Sequence, residues 1–352
     1  MTGPTTRHPR RRARAAARAS GPAGAGVAGP AAGRDSGPDS GPASGPVAGP
    51  LAALAAALVA AAPAAAQDAP RWLGFALTSS NDDFFAAEIL DRWRTGAVTA
   101  HGVFGTGWTP QAGVGFGEVL EFRVDASIRA PESFEDPAPG DRPYAGAVSF
   151  GVHAHGAREG LHYRVGGDLV VTGPQSQMAY LQDHLHERTG LPDVDEVADN
   201  EIGNALYLRL SGEAARPLAL GRGLTLRPFA EARAGDETFA RIGADMLGGS
   251  LASGGLLVRD EATGQLVEAT RGAATGFGWA AGLDIASVLA SAYLPDADGY
   301  PGPGDAFARA RLGAMWAGRS WSVFAGTAWL GPEFEDQEEG QMVGAVALTF
   351  GF

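Results

Sequence analysis

The chain has no cysteine and no lysine. Without thiols it can build neither a disulfide framework nor a thiolate metal centre. Basic residues of any kind are scarce: after residue 66 there are 20 arginines against 38 acidic residues. That balance makes it a poor match for a nucleic-acid partner. Long apolar runs are also missing. Beyond residue 66 nothing approaches 18 uninterrupted apolar residues, so no transmembrane helix is expected. No Gly-x-Ser-x-Gly elbow occurs, which leaves a serine nucleophile with little support.

The beginning of the chain is unlike the rest. Residues 1–50 are rich in Gly, Pro, Ala and Ser, with arginines clustered from Arg7 to Arg18. Such a stretch buries too little apolar surface to offset its ordering entropy, and it reads as a disordered or mis-called leader. A basic arm for nucleic acid is the sharper alternative, but it lacks interleaved aromatics. Residues 51–66, "LAALAAALVAAAPAAA", have the apolar core and small-residue end of a secretory signal, with cleavage before Gln67. The run is too short for a membrane-spanning helix of about 20 residues. Export without disulfides is compatible with the bacterial envelope.

What remains, 67–352, alternates with period 2. In "GLHYRVGGDLVV" Leu161, Tyr163, Val165, Leu169 and Val171 share one face, and His162, Arg164 and Asp168 the other. "ALYLRLSGEA", "TLRPFAEARA" and "FARARLGAMW" repeat the pattern, with arginines and glutamates opposite a purely apolar face. A charged lumen and a lipid-facing exterior produce that contrast. Trp321 and Trp329 fall on one face eight residues apart. In a tilted strand that is about 19 Å along the membrane normal, suited to two aromatic girdles. The last strand, "MVGAVALTFGF", sets Met342, Val346, Leu348, Phe350 and Phe352 against small residues.

The expected fold is therefore all-β: a twelve-stranded antiparallel transmembrane β-barrel with one short helix in an outer loop. The strands are expected near 72–79, 94–104, 113–126, 144–156, 160–172, 204–215, 223–235, 238–248, 276–286, 306–316, 319–329 and 341–352. The longer connections then fall on one end. Segment 250–275 reads as a hairpin around Ala262-Thr263-Gly264, outside the barrel core. Pro228 inside a strand calls for a local bulge, because a closed barrel has no edge to hide a missing donor.

One connection, "TGPQSQMAYLQDHLHERTG", turns helical. Pro174 suits its first turn and Gly190 its end. Met178, Leu181 and Leu185 form an apolar stripe expected to lean on the barrel rim. Gln182 and His186, four apart, form a polar stripe beside it. A neutral imidazole facing a cleft can act as a general base. Other outer loops gather oxygen donors: Asn81, Asp82 and Asp83; Asp141 with Arg142; Asn200 with Glu201. Carboxylates and amide oxygens are what a hard cation takes.

In order, "NDDFF" with "DRWRTG", "DRPYAG", "GPQSQMAYLQDHLHERTG" and "NEIGNALY" resemble the outer-membrane lipid A 3′-O-deacylase family over nearly the whole exported part. "DRPYAG" and the spacing of Gln182, His186 and Gly190 are the most specific pieces. The resemblance implies a barrel in the bacterial outer membrane, acting as a monomer on the lipid A of lipopolysaccharide. It implies calcium-dependent hydrolysis of the 3′-linked acyl ester. By position, His186 matches the general base, and Asn81 and Asp82 the Asn-Asp pair at the metal. Arg142 matches a basic residue for a lipid A phosphate. Gln182 and Glu201 fall at motif positions on the substrate side. The acidic ligand after the histidine falls in "GLPDVDE" at Asp193, with Asp195 or Glu196 as alternatives. The competing expectation is a barrel of the same descent that is catalytically inactive and serves a structural or binding role. A general diffusion porin comes last, since twelve strands leave a narrow lumen.

Overall fold

The computed structural model describes residues 69–85, 91–134, 137–138, 140–191, 193–297 and 300–352. The expected leader and signal segments, 1–50 and 51–66, lie outside the described residues. Twelve strands form the wall: β1 Arg71–Asn81, β2 Trp93–Gly105, β3 Val114–Ala130, β4 Ala145–Arg158, β5 Leu161–Thr172, β6 Ala205–Ala215, β7 Leu224–Ala234, β8 Glu237–Gly249, β9 Gly276–Ser291, β10 Ala306–Ala317, β11 Trp321–Leu330 and β12 Gln341–Gly351. Each pairs antiparallel with its neighbours in sequence, and β12 pairs with β1 to close the cylinder. No helix among the described residues is long and apolar enough to cross a membrane, and the wall crosses with strands instead.

Alternation decides what faces out. Leu206, Leu208 and Leu210 of β6 are exposed, while Arg209 and Glu213 between and beyond them are buried. On β12, Met342, Val346, Leu348 and Phe350 point outward and Val343, Ala345 and Ala347 inward. Trp321 and Trp329 are both exposed, at opposite ends of β11. Such a continuous apolar exterior is unstable in water and stable against hydrocarbon. Most long connections leave one end, the loop end, between β1–β2, β3–β4, β5–β6, β9–β10 and β11–β12. The other end is the turn end.

The ladder is interrupted at Pro228 rather than bulged there. β7 pairs with β6 as far as Phe229↔Ala215, then with the short strand Leu218–Gly221 from Leu226↔Leu218, without a register change between them. The missing N–H therefore falls opposite Arg216–Pro217, outside any strand, and the Pro228 carbonyl still accepts from Arg216 N at 3.0 Å.

The 250–275 segment departs from expectation more sharply. It is a hairpin, Leu257–Arg259 paired with Leu266–Glu268, but it folds into the lumen from the turn end. Leu256, Val258, Leu266 and Val267 are fully buried. Its tip carries Glu261, which accepts from Arg123 Nη1 at 2.8 Å and Arg209 Nη1 at 2.9 Å. Arg259 donates to Glu213 at 2.9 Å and to Asp245 at 3.0 Å. A lumen lined by charges must find countercharges, and the hairpin supplies part of them.

Candidate active site

The helix in the β5–β6 connection, α1 Met178–Thr189, stands at the loop end. Pro174 opens a separate 3-10 turn, Pro174–Ser176, and α1 begins four residues later after Gln177 in a left-handed conformation. The helix ends at Gly190, φ 75°, whose N–H donates to the His186 carbonyl at 2.8 Å. The buried face is the polar stripe: Gln182 and His186 are the helix residues classed as buried, while Leu185 is 53% exposed. Leu185 thus does not seat the helix on the rim; Ala179 packs on a small buried cluster, and hydrogen bonds hold the polar stripe. The "DRPYAG" segment explains how. Gln182 Oε1 accepts from Tyr144 OH at 2.8 Å. A Cβ on Gly146 would lie 2.6 Å from Met178 Cβ, so a glycine there lets the helix start approach β4.

His186 Nε2 lies 2.8 Å from Asp91 Oδ2, and Gln182 Nε2 donates to Asp91 Oδ1 at 3.2 Å. The Phe134 ring covers the imidazole, centroids 5.7 Å apart. Asp91 was not singled out from the sequence as a site residue, although "DRWRTG" begins with it. Asp91 also belongs to a second set. Carboxylate oxygens of Asp82, Asp83 and Asp91 all lie within 4.8 Å of one another. Asp82 is 1% exposed; its Oδ2 accepts from Arg92 N at 2.9 Å and Gln341 Nε2 at 3.1 Å, and its Oδ1 makes no hydrogen bond. Burial pushes the Asp82 carboxyl up to about 7, with Asp83 and Asp91 adding to the shift against the Arg92 N–H. Burial also raises Asp91, partly offset by His186. Three crowded carboxylates with an unpaired buried oxygen fit a divalent cation bound through oxygen.

The other expected residues separate. Asn81 adjoins the cluster, but its Oδ1 accepts from Asp83 N at 2.6 Å and shapes the turn. Asp193 is not in the cluster. Val194 and Val197 are buried and turn their acidic neighbours outward. Asp193 accordingly accepts from Asp195 N at 2.9 Å, just ahead of the short helix Asp195–Ala198, and groups with Asp183 and Asp195 instead. Asp195 and Glu196 are exposed as well. Arg142, 2% exposed, is turned into the structure, where Nη1 donates to Glu333 Oε2 at 2.6 Å. In this arrangement it ties loops together rather than offering its fork to a substrate. Glu201 Oε1 accepts from Gly146 N at 3.1 Å, which fastens the end of the helical connection to β4.

A closed up-and-down cylinder, greasy outside and charged within, with a histidine–carboxylate site at its loop end, defines a β-barrel of the bacterial outer membrane. The family profile described as "Outer membrane protein LpxR" matches residues 51–352, and the chain belongs to that family. This is the lipid A-modifying family to which the sequence motifs pointed. Among solved structures, LpxR from Salmonella typhimurium superposes with a TM-score of 0.66 at 17% identity, covering 79% of this chain and 100% of that one. The beta domain of the Bordetella autotransporter BrkA gives a TM-score of 0.40 at 11% identity, over 80% of this chain and 99% of that one. The KdgM porin gives 0.39 at 6%, over 80% and 99%. No curated protein matches the sequence.

Proposed function

We propose that the protein hydrolyses the 3′-linked acyl ester of lipid A, using a water activated by His186 and a calcium ion. The observation that carries this reading is one shared carboxylate: Asp91 touches His186 through one oxygen and belongs with Asp82 and Asp83 through the group as a whole. A general base and a hard-cation site are thereby adjacent, an arrangement that suits metal-assisted ester hydrolysis.

In this mechanism the His186 ring takes a proton from the attacking water. Asp91 holds the ring through Nε2 and stabilises the imidazolium that forms. The proton then goes to the departing sugar oxygen, leaving a free hydroxyl and a fatty acid. Calcium held by Asp82, Asp83 and Asp91 would supply the positive centre for charge developing on the ester oxygen. Gln182 fixes Asp91, and Phe134 shields the ring. Tyr180 and Leu185, exposed on α1, give the helix an apolar outer surface suited to a lipid substrate.

The test is mass spectrometry of lipid A from cells expressing the protein, with and without a chelator. The expected result is loss of the 3′ acyl chain, abolished by His186→Ala and by chelation. Identical spectra for wild type and His186→Ala would end the catalytic reading and leave an inactive barrel with a structural or binding role.

A further inference from the structure

The lumen hairpin crosses the bore: its tip reaches β3 and β6 through Glu261, and other residues anchor it to a second stretch of the wall. Gln265 Nε2 donates to the carbonyls of Leu312 and Thr327, and Thr349 Oγ1 donates to the Glu268 carbonyl at 2.6 Å. Ser322 Oγ donates to Glu268 Oε2 at 3.2 Å. All these partners belong to β10, β11 and β12. On the opposite side, between the hairpin and the strands β4 to β8, a void of about 820 Å³ opens at the turn end. That is within the range of small-molecule sites. It lies at the far end of the cylinder from His186, and on the periplasmic side for an outer-membrane barrel.

Its walls are unlike a generic water-filled mouth. Trp108, from the β2–β3 turn, stands edge-on to His162 at 5.5 Å and to His155 at 6.4 Å, both at 86°. Ala252 and Leu257, both half-buried, add apolar surface. The floor is cationic. Arg227, 7% exposed, donates through Nη2 to Glu213 at 2.7 Å. Its Nη1 makes no hydrogen bond, and Asp245 Oδ2 stands 3.7 Å off. Arg164, also 7% exposed, stands 3.3 Å from His153 Nδ1 and 3.6 Å from Glu231 Oε1. Glu213, the acid on the floor, already accepts from both Arg227 and Arg259. Arg227 Nη1 is therefore left over in a buried place, where an unmade hydrogen bond is costly. Arginine completes its fork best on an oxyanion.

We propose that this vestibule binds a small organic anion with a flat apolar body. Arg227 and Arg164 take the anionic group, and Trp108 with Leu257 takes the body. The site is independent of the reaction assigned to the loop end and shares no residue with it.

Indole-3-acetate tests this by isothermal titration calorimetry on the full chain in detergent, with neutral indole and inorganic phosphate as separate arms. Wild type should bind indole-3-acetate saturably at one site. Each control should bind at least tenfold more weakly, and Arg227→Gln and Trp108→Leu should each weaken indole-3-acetate at least tenfold. No saturable binding by wild type overturns the proposal. So does an affinity within twofold of wild type in both variants, which would mark partition into detergent. Phosphate binding as tight as indole-3-acetate overturns the flat-body assignment. Arg227 sits in a buried network, so a variant that fails to form a heat-modifiable barrel leaves the decision to Trp108→Leu, which changes only a half-buried turn residue.

Discussion

Gln182 shows how a motif residue can be found by its spacing and misread in its role. Four residues before His186, it was expected on the substrate side of the cleft. Both ends of its amide are instead engaged within the protein, by Tyr144 OH and by Asp91 Oδ1. It therefore acts as a positioning residue for Asp91, and through it for His186. Gln182→Leu should lower kcat for deacylation about tenfold with KM nearly unchanged, as expected where one orienting contact to a general base is lost. Asp91→Asn should cost about a hundredfold or more, because the same group serves base and cation. Kinetics on a purified lipid A substrate separate the outcomes. A rise in KM alone for Gln182→Leu would restore it to the substrate side. His186 and Asp82 could be picked out as candidates because helical periodicity and an acidic strand end expose such residues. Asp91 was not, since its partner lies in a loop of a different hairpin. Asp193 was misassigned because "PDVDE" shows its charges but not that Val194 and Val197 are the buried pair.

The connecting elements of the loop end depend on one another more than on their own sequence propensities. Alternating strands, the Gly190 stop and a histidine facing a cleft could be read from the chain, but Leu185 points outward against expectation. The small buried cluster at the rim takes Ala179 instead, and hydrogen bonds take Gln182. A second junction joins the β1–β2, β3–β4 and β11–β12 ends: Glu333 accepts from Arg142 Nη1 at 2.6 Å and from Arg94 Nε at 2.8 Å. Burial alone would raise Glu333, but Arg94 and Arg142 outweigh it and hold the carboxyl at about 2, against an ordinary 4.5. Because the folded value is the lower one, this junction contributes fully above pH 4.5 and loses its contribution as pH falls through about 2. The shift corresponds to about 3 kcal/mol. Protection factors in residues 331–340, corrected for intrinsic exchange, should therefore stay high at pH 5 and fall between pH 4 and 2, whereas Glu333→Gln should be less protected already at pH 5. Equal protection in the two proteins at pH 5 would remove the junction from the account.

At the scale of the whole molecule, the wall was legible and the contents of the lumen were not. Period-2 alternation with charge on one face can be read strand by strand, as with Arg209 and Glu213 opposite Leu206, Leu208 and Leu210. "LVRDEATGQLVE" reads as a hairpin in either setting. Only the assembled cylinder shows that Arg259 and Glu261 meet Glu213, Asp245, Arg123 and Arg209. The consequence is a barrel that should not conduct. Its bore is crossed by ion pairs and spanned by the hairpin, which reaches β3, β6 and β8, so the porin reading predicts currents that this packing opposes. Ala273 N donates to Ser253 O at 3.4 Å, so the two ends of the hairpin's base lie side by side. Excision of residues 254–272 with a direct join should therefore leave the wall able to close. In planar bilayers the wild-type protein should give no steps. The excised form, if it still runs as a heat-modifiable barrel, should give discrete ohmic openings whose conductance rises with salt. Arg209 and Arg233, released from Glu261, would favour anions in that pore. A folded but silent excised form would mean that wall side chains alone close the bore, and a conducting wild type would mean that the hairpin does not seal it.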